Sequence, residues 1–300
     1  LAQHRITGGL AGLTLAALTA CAPQGPTEPD LSGPELRALY AATAVAIKER
    51  GGLRTDRNPA DAPLSVETLV RNFTNIAFFT EFDRSTRRVR GTTAIPLTRW
   101  ERPARVGVIF GESVSAEQRK ADLADVRDLL GRYRRLTGLN FRYVPEGETE
   151  MMVLVLDRTE QLIIAELIEA DGLLPGAVAD DLRASRPSEL CSAFVFGPGP
   201  ENGIGIAVAL IKAEHVGIMR RSCFHEEMTQ ALGLLNDSRA ARPSIFNDDE
   251  EFALLTLHDE ILVRMLYDPR LTVGMTEADA RQLLPQIAVD AARASGVTLN

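Results

Sequence analysis

Residues 223–237 read CFHEEMTQALGLLND, and this run constrains the chain more than any other. At about 100° per residue, Phe224, Met228, Ala231 and Leu235 form an apolar stripe on a helix expected over 219–235. Glu226, Gln230 and Gly233 fall within about 60° of one another on the opposite side, flanked by Glu227. His225 lies on a third flank, close to Thr229 and Leu232. Such a helix must lay its stripe on a core, and it can present two carboxylates and an amide away from that core.

The rest of the chain supplies the core. Apolar runs at 105–110, 140–144, 151–156, 191–196 and 204–211 read as strands. Helical periodicity covers 34–48, 65–82, 115–136, 160–170, 177–184, 249–266 and 276–295, with Ser65, Ser115 and Thr276 as caps. The order is helices, then strand–helix–strand–strand, then a strand pair, then three helices, with no internal repeat. That order predicts a single α+β domain with a small mixed sheet.

Helix-borne zinc peptidase sites use His-Glu-x-x-His, in which the glutamate beside the first ligand activates a metal-bound water. Two registers of that pattern can be laid on the helix. From His225, Glu226 matches the base, but Thr229 stands at the second ligand position and glycine comes one residue late. From Glu226, the run is Glu226-Glu227-x-x-Gln230-x-x-Gly233-x-x-Asn236. Base, glycine and spacing then match the metzincin pattern, while Glu226, Gln230 and Asn236 replace all three imidazole ligands. This register makes Glu227 the candidate catalytic base. Oxygen ligands of this kind suit calcium or magnesium better than zinc, so the cofactor it would take is a divalent metal of that class.

In these residues the chain resembles metzincins, and the resemblance implies a zincin-like fold with an edge strand beside the site helix, for which 204–211 is the candidate. It also implies a methionine turn, for which Gly274 and Met275 are the candidates. The segments CFHEEMTQALGLLND, SIFNDDEEFALLTLHDEILVRMLYDPRL and Gly274-Met275 are further similar to the family called domain of unknown function 2927. NFTNIAFFTE and the strand entry at 100–111 agree more weakly. That resemblance specifies membership and implies no activity.

The first residues read as an address. Arg5 with His4 precedes an uncharged apolar stretch at 10–18, too short to span a bilayer, and Leu18-Thr19-Ala20-Cys21 resembles the lipobox of bacterial lipoproteins. The resemblance implies cleavage before Cys21 and lipidation of its thiol. Ala22, where inner-membrane retention signals usually carry Asp, implies the outer membrane, with the protein facing the periplasm. Residues 1–20 are then a signal, 21–33 (rich in Pro, Gly and acids) a tether, and 34–300 the folded domain. With Cys21 acylated, Cys191 and Cys223 are an even pair in an oxidising compartment and are expected to form a disulfide.

A net charge of −8 argues against nucleic acid as a partner. His215 and His258 lack ligand-spaced partners, and 247–251 (NDDEE) lacks EF-hand spacing and reads as a solvated helix start. Three functions fit these features: an envelope lipoprotein whose degenerate peptidase-like site acts by binding, an active metal-dependent peptidase on envelope proteins or peptides, and a structural or assembly lipoprotein. In all three the partners are a membrane, reached through the lipid, and an envelope polypeptide. Substitution Cys21→Ser should abolish lipid labelling and move the protein out of the membrane fraction; normal maturation of that variant in membranes would exclude acylation at Cys21.

Overall fold

The computed structural model describes residues 31, 33–82, 89–172, 174–197 and 203–299. The expectations for the signal, Cys21 and most of the tether fall outside these residues. Residues Leu31–Asn300 form one compact unit.

A five-stranded sheet organises the unit: β3 (Arg105–Phe110), β4 (Arg142–Tyr143), β5 (Met151–Leu156), β6 (Cys191–Phe196) and β7 (Ile206–Lys212), ordered β4-β3-β5-β7-β6. All neighbours pair in parallel except β6, which runs antiparallel to β7 at the edge. The central strands read as unbroken apolar runs, MMVLVL and IAVALIK, because both faces of the sheet are covered. Leu154, Leu156, Val208 and Leu210 pack on α4 (Arg158–Asp171) and α5 (Gly176–Ala184). Their alternates, including Val153, Val155, Ala207, Ala209 and Ile211, face the main core. That core is completed by α2 (Val66–Ala77), α3 (Ala116–Thr137), α6 (Gly217–Gln230), α7 (Leu257–Leu266) and α9 (Leu284–Ala294). Outside these layers lie α1 (Pro34–Glu49), the short α8 (Glu277–Ala280) and a hairpin of β1 (Phe79–Phe82) with β2 (Val89–Ala94).

The chain is therefore an α+β domain with a mixed sheet. Several boundaries differ from the sequence expectations. The segment 204–211 is not an edge strand: β7 is interior, and β6 is the edge. The helix expected over 65–82 stops at Ala77, because Phe79 and Thr80 pair with Ala94 and Thr93. The one expected over 249–266 begins only at Leu257, where Thr256 and Asp259 form a capping box, while Phe252 bridges to Arg54. The last helix divides into α8 and α9 around Leu283, with Pro285 in the first turn of the second.

A buried ionic contact joins two of these layers. Arg220 on α6 and Asp122 on α3 are each 2% exposed, and the guanidinium grips both carboxylate oxygens at 2.6–3.1 Å. Its remaining Nη1 donates to the carbonyls of Ala213 and His215. Removing one member strands a buried charge, so Arg220→Ala should destabilise the protein by about 3–5 kcal/mol in urea unfolding, whereas the exposed partner Arg221→Ala should cost less than about 1 kcal/mol.

Candidate functional site

The site helix α6 follows β7 directly and starts at Gly217, whose φ of 58° lets the chain turn into the helix. Its apolar stripe behaves as expected: Phe224, Met228 and Ala231 are fully buried. Cys223 is joined to Cys191 at the start of β6 by a disulfide, with Cα atoms 5.7 Å apart, so the edge strand is tied to the helix. The helix ends at Gln230, one turn earlier than expected. Trp100 Nε1 donates to the carbonyl of Ala231 at 2.8 Å, and the Tyr267 hydroxyl donates to that of Leu232 at 3.0 Å. Gly233 then turns with φ of 119°, so close to the strap before Trp100 that a Cβ would lie 2.1 Å from the Thr98 carbonyl. Only glycine fits there.

Next to this helix end the protein gathers acid. One carboxylate oxygen each from Glu226 and Glu227 lies within 4.8 Å of the other and of Cys191 Sγ. Glu226 is half-buried. Glu227 is 3% exposed, and its Oε2 has no hydrogen-bond partner among the described residues. Burial drives the Glu227 carboxyl well above its ordinary range, and the charges of Asp237 and Glu250 push it further. Glu226 is raised in the same way by burial first, then by Glu250, Asp237, Glu227 and Asp248. Glu250, half-buried in the loop before α7, is pushed up to about 7 by burial and by Asp248.

The neighbouring arginines do not relieve this crowding. Arg220 serves Asp122, Arg221 serves Asp125, Arg239 serves Asp248, and Arg242 serves Asp61 and Glu251. The run 247–251 thus contributes a half-buried acid to the site as well as a solvated edge. Sequence reasoning missed Asp237 and Glu250 as neighbours of the acid pair. The signal available was the proximity of an uncompensated acidic run to a helix already carrying two glutamates.

The other candidate residues have structural employment. His225 is buried, and its Nδ1 accepts the Leu255 N–H at 2.9 Å. Burial, with Arg132 and Arg221 nearby, holds its pKa down to about 3, so the imidazole is neutral. Thr229, at the second ligand position of that register, donates its hydroxyl to the His225 carbonyl and meets the Tyr133 hydroxyl at 2.9 Å. Gln230 donates Nε2 to Asp237 Oδ1 at 3.0 Å. Asn236, beyond the helix, donates Nδ2 to the Asn75 carbonyl at the end of α2. His215 faces the Leu190 carbonyl and stacks on Tyr40, and His258 bonds Asn72. Gly274 and Met275 form a turn whose backbone pairs on both sides with Leu97.

These donors do not fit zinc. The atoms that converge are carboxylate oxygens and a sulfur already spent in a disulfide, whereas zinc sites use imidazole nitrogen and thiolate. What the arrangement offers chemically is a pair of carboxyls whose protonated form burial and like charge favour well beyond the ordinary carboxylate range. A protonated carboxyl both donates and accepts hydrogen bonds, the complement of a peptide group.

The family described as a protein of unknown function (DUF2927) matches residues 66–286, and the chain belongs to it. No curated protein matches the chain.

The acid cluster gives stability a definite pH slope. A carboxyl whose pKa is raised by folding contributes its share fully below the ordinary value of 4.5, and loses it as pH rises through the folded value, about 7 for Glu250. Urea unfolding should therefore show Glu227→Gln more stable than the native protein at pH 8, with that gain gone near pH 4.5. Equal stability of the two proteins at pH 8 would mean that the carboxyl is not penalised.

Proposed function

We propose that this member of the DUF2927 family is a lipid-anchored envelope protein that binds a polypeptide on a metzincin-like scaffold without hydrolysing it. The observation that carries the reading is the buried Glu226–Glu227 pair, with its unpartnered Glu227 Oε2, at the head of an antiparallel edge strand. Strand order supports the scaffold. A strand, a long helix, two strands and an antiparallel edge strand come before the site helix in the order that the metzincin resemblance implies, with α4 and α5 inserted before the edge strand and the interior strand β7 between it and the helix. The helix end at Gly233 and the Gly274-Met275 turn, both packed on the same strap, support it further.

The chemistry of the pair favours holding over cutting. A peptidase base must be ionised to take a proton from water, and burial with the charges of Asp237 and Glu250 pushes the Glu227 carboxyl well above its ordinary range, against ionisation. The imidazole of His225, next to Glu226 in sequence, spends its Nδ1 on the Leu255 amide. Neutral carboxyls can instead donate to a backbone carbonyl of a polypeptide lying beside β6. The membrane anchor at Cys21 and the periplasmic setting follow from the lipobox resemblance and form part of the same proposal.

Metal content, cleavage of an unstructured protein such as casein, and binding to an immobilised peptide library test the reading on the purified full chain. The expected outcome is substoichiometric zinc, no cleavage, and peptide binding kept by Glu227→Gln, whose amide also donates and accepts, but weakened about tenfold (about 1.4 kcal/mol) by Glu227→Leu. One tightly held zinc per chain, with proteolysis lost in Glu227→Gln, would establish the peptidase reading instead.

A further inference from the structure

Between α3 and α7 lies an open cavity of about 540 Å³ whose walls carry Arg57, Arg132, Arg135 and Arg264 against only Asp128 and Glu260. Four guanidinium groups facing two carboxylates leave an excess of two positive charges, in a protein whose net charge is −8. The arginines divide into two kinds. Arg57 and Arg132 converge on Glu260: Arg132 donates Nε and Nη2 to Oε1 at 3.0 and 2.8 Å, and Arg57 binds Oε2. Arg132 also donates to the Leu255 carbonyl. Glu260 is thereby used up in holding two of the four.

Arg264, one turn after Glu260 on α7, makes no ion pair with a described residue, and its Nε is buried without an acceptor. A buried guanidinium donor left without an acceptor is costly to the fold unless a ligand supplies one. Arg135, one turn after Arg132 on α3, is exposed at the rim. The cavity also includes Leu136, Leu254 and Leu255, which give it an apolar side. Its volume falls in the range of small-molecule sites, about 300–1,000 Å³, larger than a bare anion needs.

We propose that this cavity is a binding site for a phosphate monoester, with Arg264 and Arg135 taking the phosphate oxygens and the apolar side receiving the organic body. The charge balance selects the phosphate: a monoester carries about −1.5 to −2 at neutral pH and cancels the excess, whereas a carboxylate cancels half of it. Guanidinium forks also match phosphate geometry with paired N–H donors. The site is separate from the acid pair. The path between them runs through His225, the Leu255 backbone and Arg132.

Glycerol 3-phosphate titrated into the full chain by calorimetry tests the proposal, with acetate as the carboxylate control and phosphatidic acid vesicles in phosphatidylcholine as the lipid arm. Binding of glycerol 3-phosphate, or of phosphatidic acid vesicles over pure phosphatidylcholine, is expected, and the arm that responds identifies a soluble or a lipid-borne source. Arg264→Gln and Arg135→Gln should each weaken binding about tenfold or more without lowering the unfolding midpoint, since neither removes an ion pair. Glu227→Leu, which disables the proposed peptide contact, should leave it unchanged, which keeps failure here distinct from failure of the peptide-binding reading. No binding in either arm, equal binding of acetate, or binding indifferent to both arginine substitutions would overturn the proposal.

Discussion

The contact between Gly233 and the Thr98 carbonyl fixes where everything around the site can lie. Because a Cβ would stand 2.1 Å from that oxygen, the strap at 97–100 and the end of α6 approach as closely as backbone allows. The strap then meets the helix terminus from several directions. Trp100 takes the Ala231 carbonyl, Leu97 pairs with the turn at Gly274 and Met275, and the Arg99 carbonyl accepts the Ile204 N–H before β7. Arg99 Nη1 reaches the last carbonyl of α7. The carbonyls left over at the end of a helix need donors, and the indole and the Tyr267 phenol meet that need from outside the helix.

Anchorage at both ends explains how α6 tolerates an unfavourable pair of acids. The buried Arg220–Asp122 contact secures its first half, and the Cys191–Cys223 disulfide secures its middle against the edge strand. Glu226 and Glu227 follow at once, in a stretch that cannot swing outward to water without breaking these contacts. Crowded carboxyls with no cation beside them lower the stability of a fold above their ordinary titration range. Perturbed groups of this sort gather at functional sites more often than in ordinary surfaces, and here the cost sits beside the sheet edge.

Much of the architecture was legible because its signals are local. Strands at 105–110, 151–156 and 191–196 stand where apolar runs end at turn residues, and α3 begins at its Ser115 cap and ends at Gly138. The disulfide followed from counting cysteines. What stayed hidden depends on distant partners. Nothing local says that α6 stops at Gln230, because the cause is a carbonyl more than a hundred residues earlier. Nothing local says that 249–256 is not helical, since those residues are held by Arg54 and by the Thr256 cap. The edge was assigned to the wrong member of the β6–β7 pair because two consecutive apolar runs look alike until the crossover is known. At the site, the pattern located the acid pair, but it could not show that His225 Nδ1 is engaged by the Leu255 amide, or that the amide nitrogens of Gln230 and Asn236 are engaged by Asp237 and Asn75.

The neutral imidazole of His225 has a place in the electrostatics of the whole region. On α6 the carboxyls crowd, and between α3 and α7 the guanidinium groups of Arg132 and its neighbours line the cavity. A charged histidine between them would stand next to Arg132 and Arg221, which is one reason its pKa falls to about 3, after burial itself. As a neutral acceptor it instead fixes the Leu255 N–H, and the carbonyl of the same residue fixes Arg132. One buried ring therefore sets the position of a backbone segment that orients an arginine, without adding charge to either flank. The residue that a zinc pattern would recruit as a ligand serves here as a spacer between two regions of opposite charge.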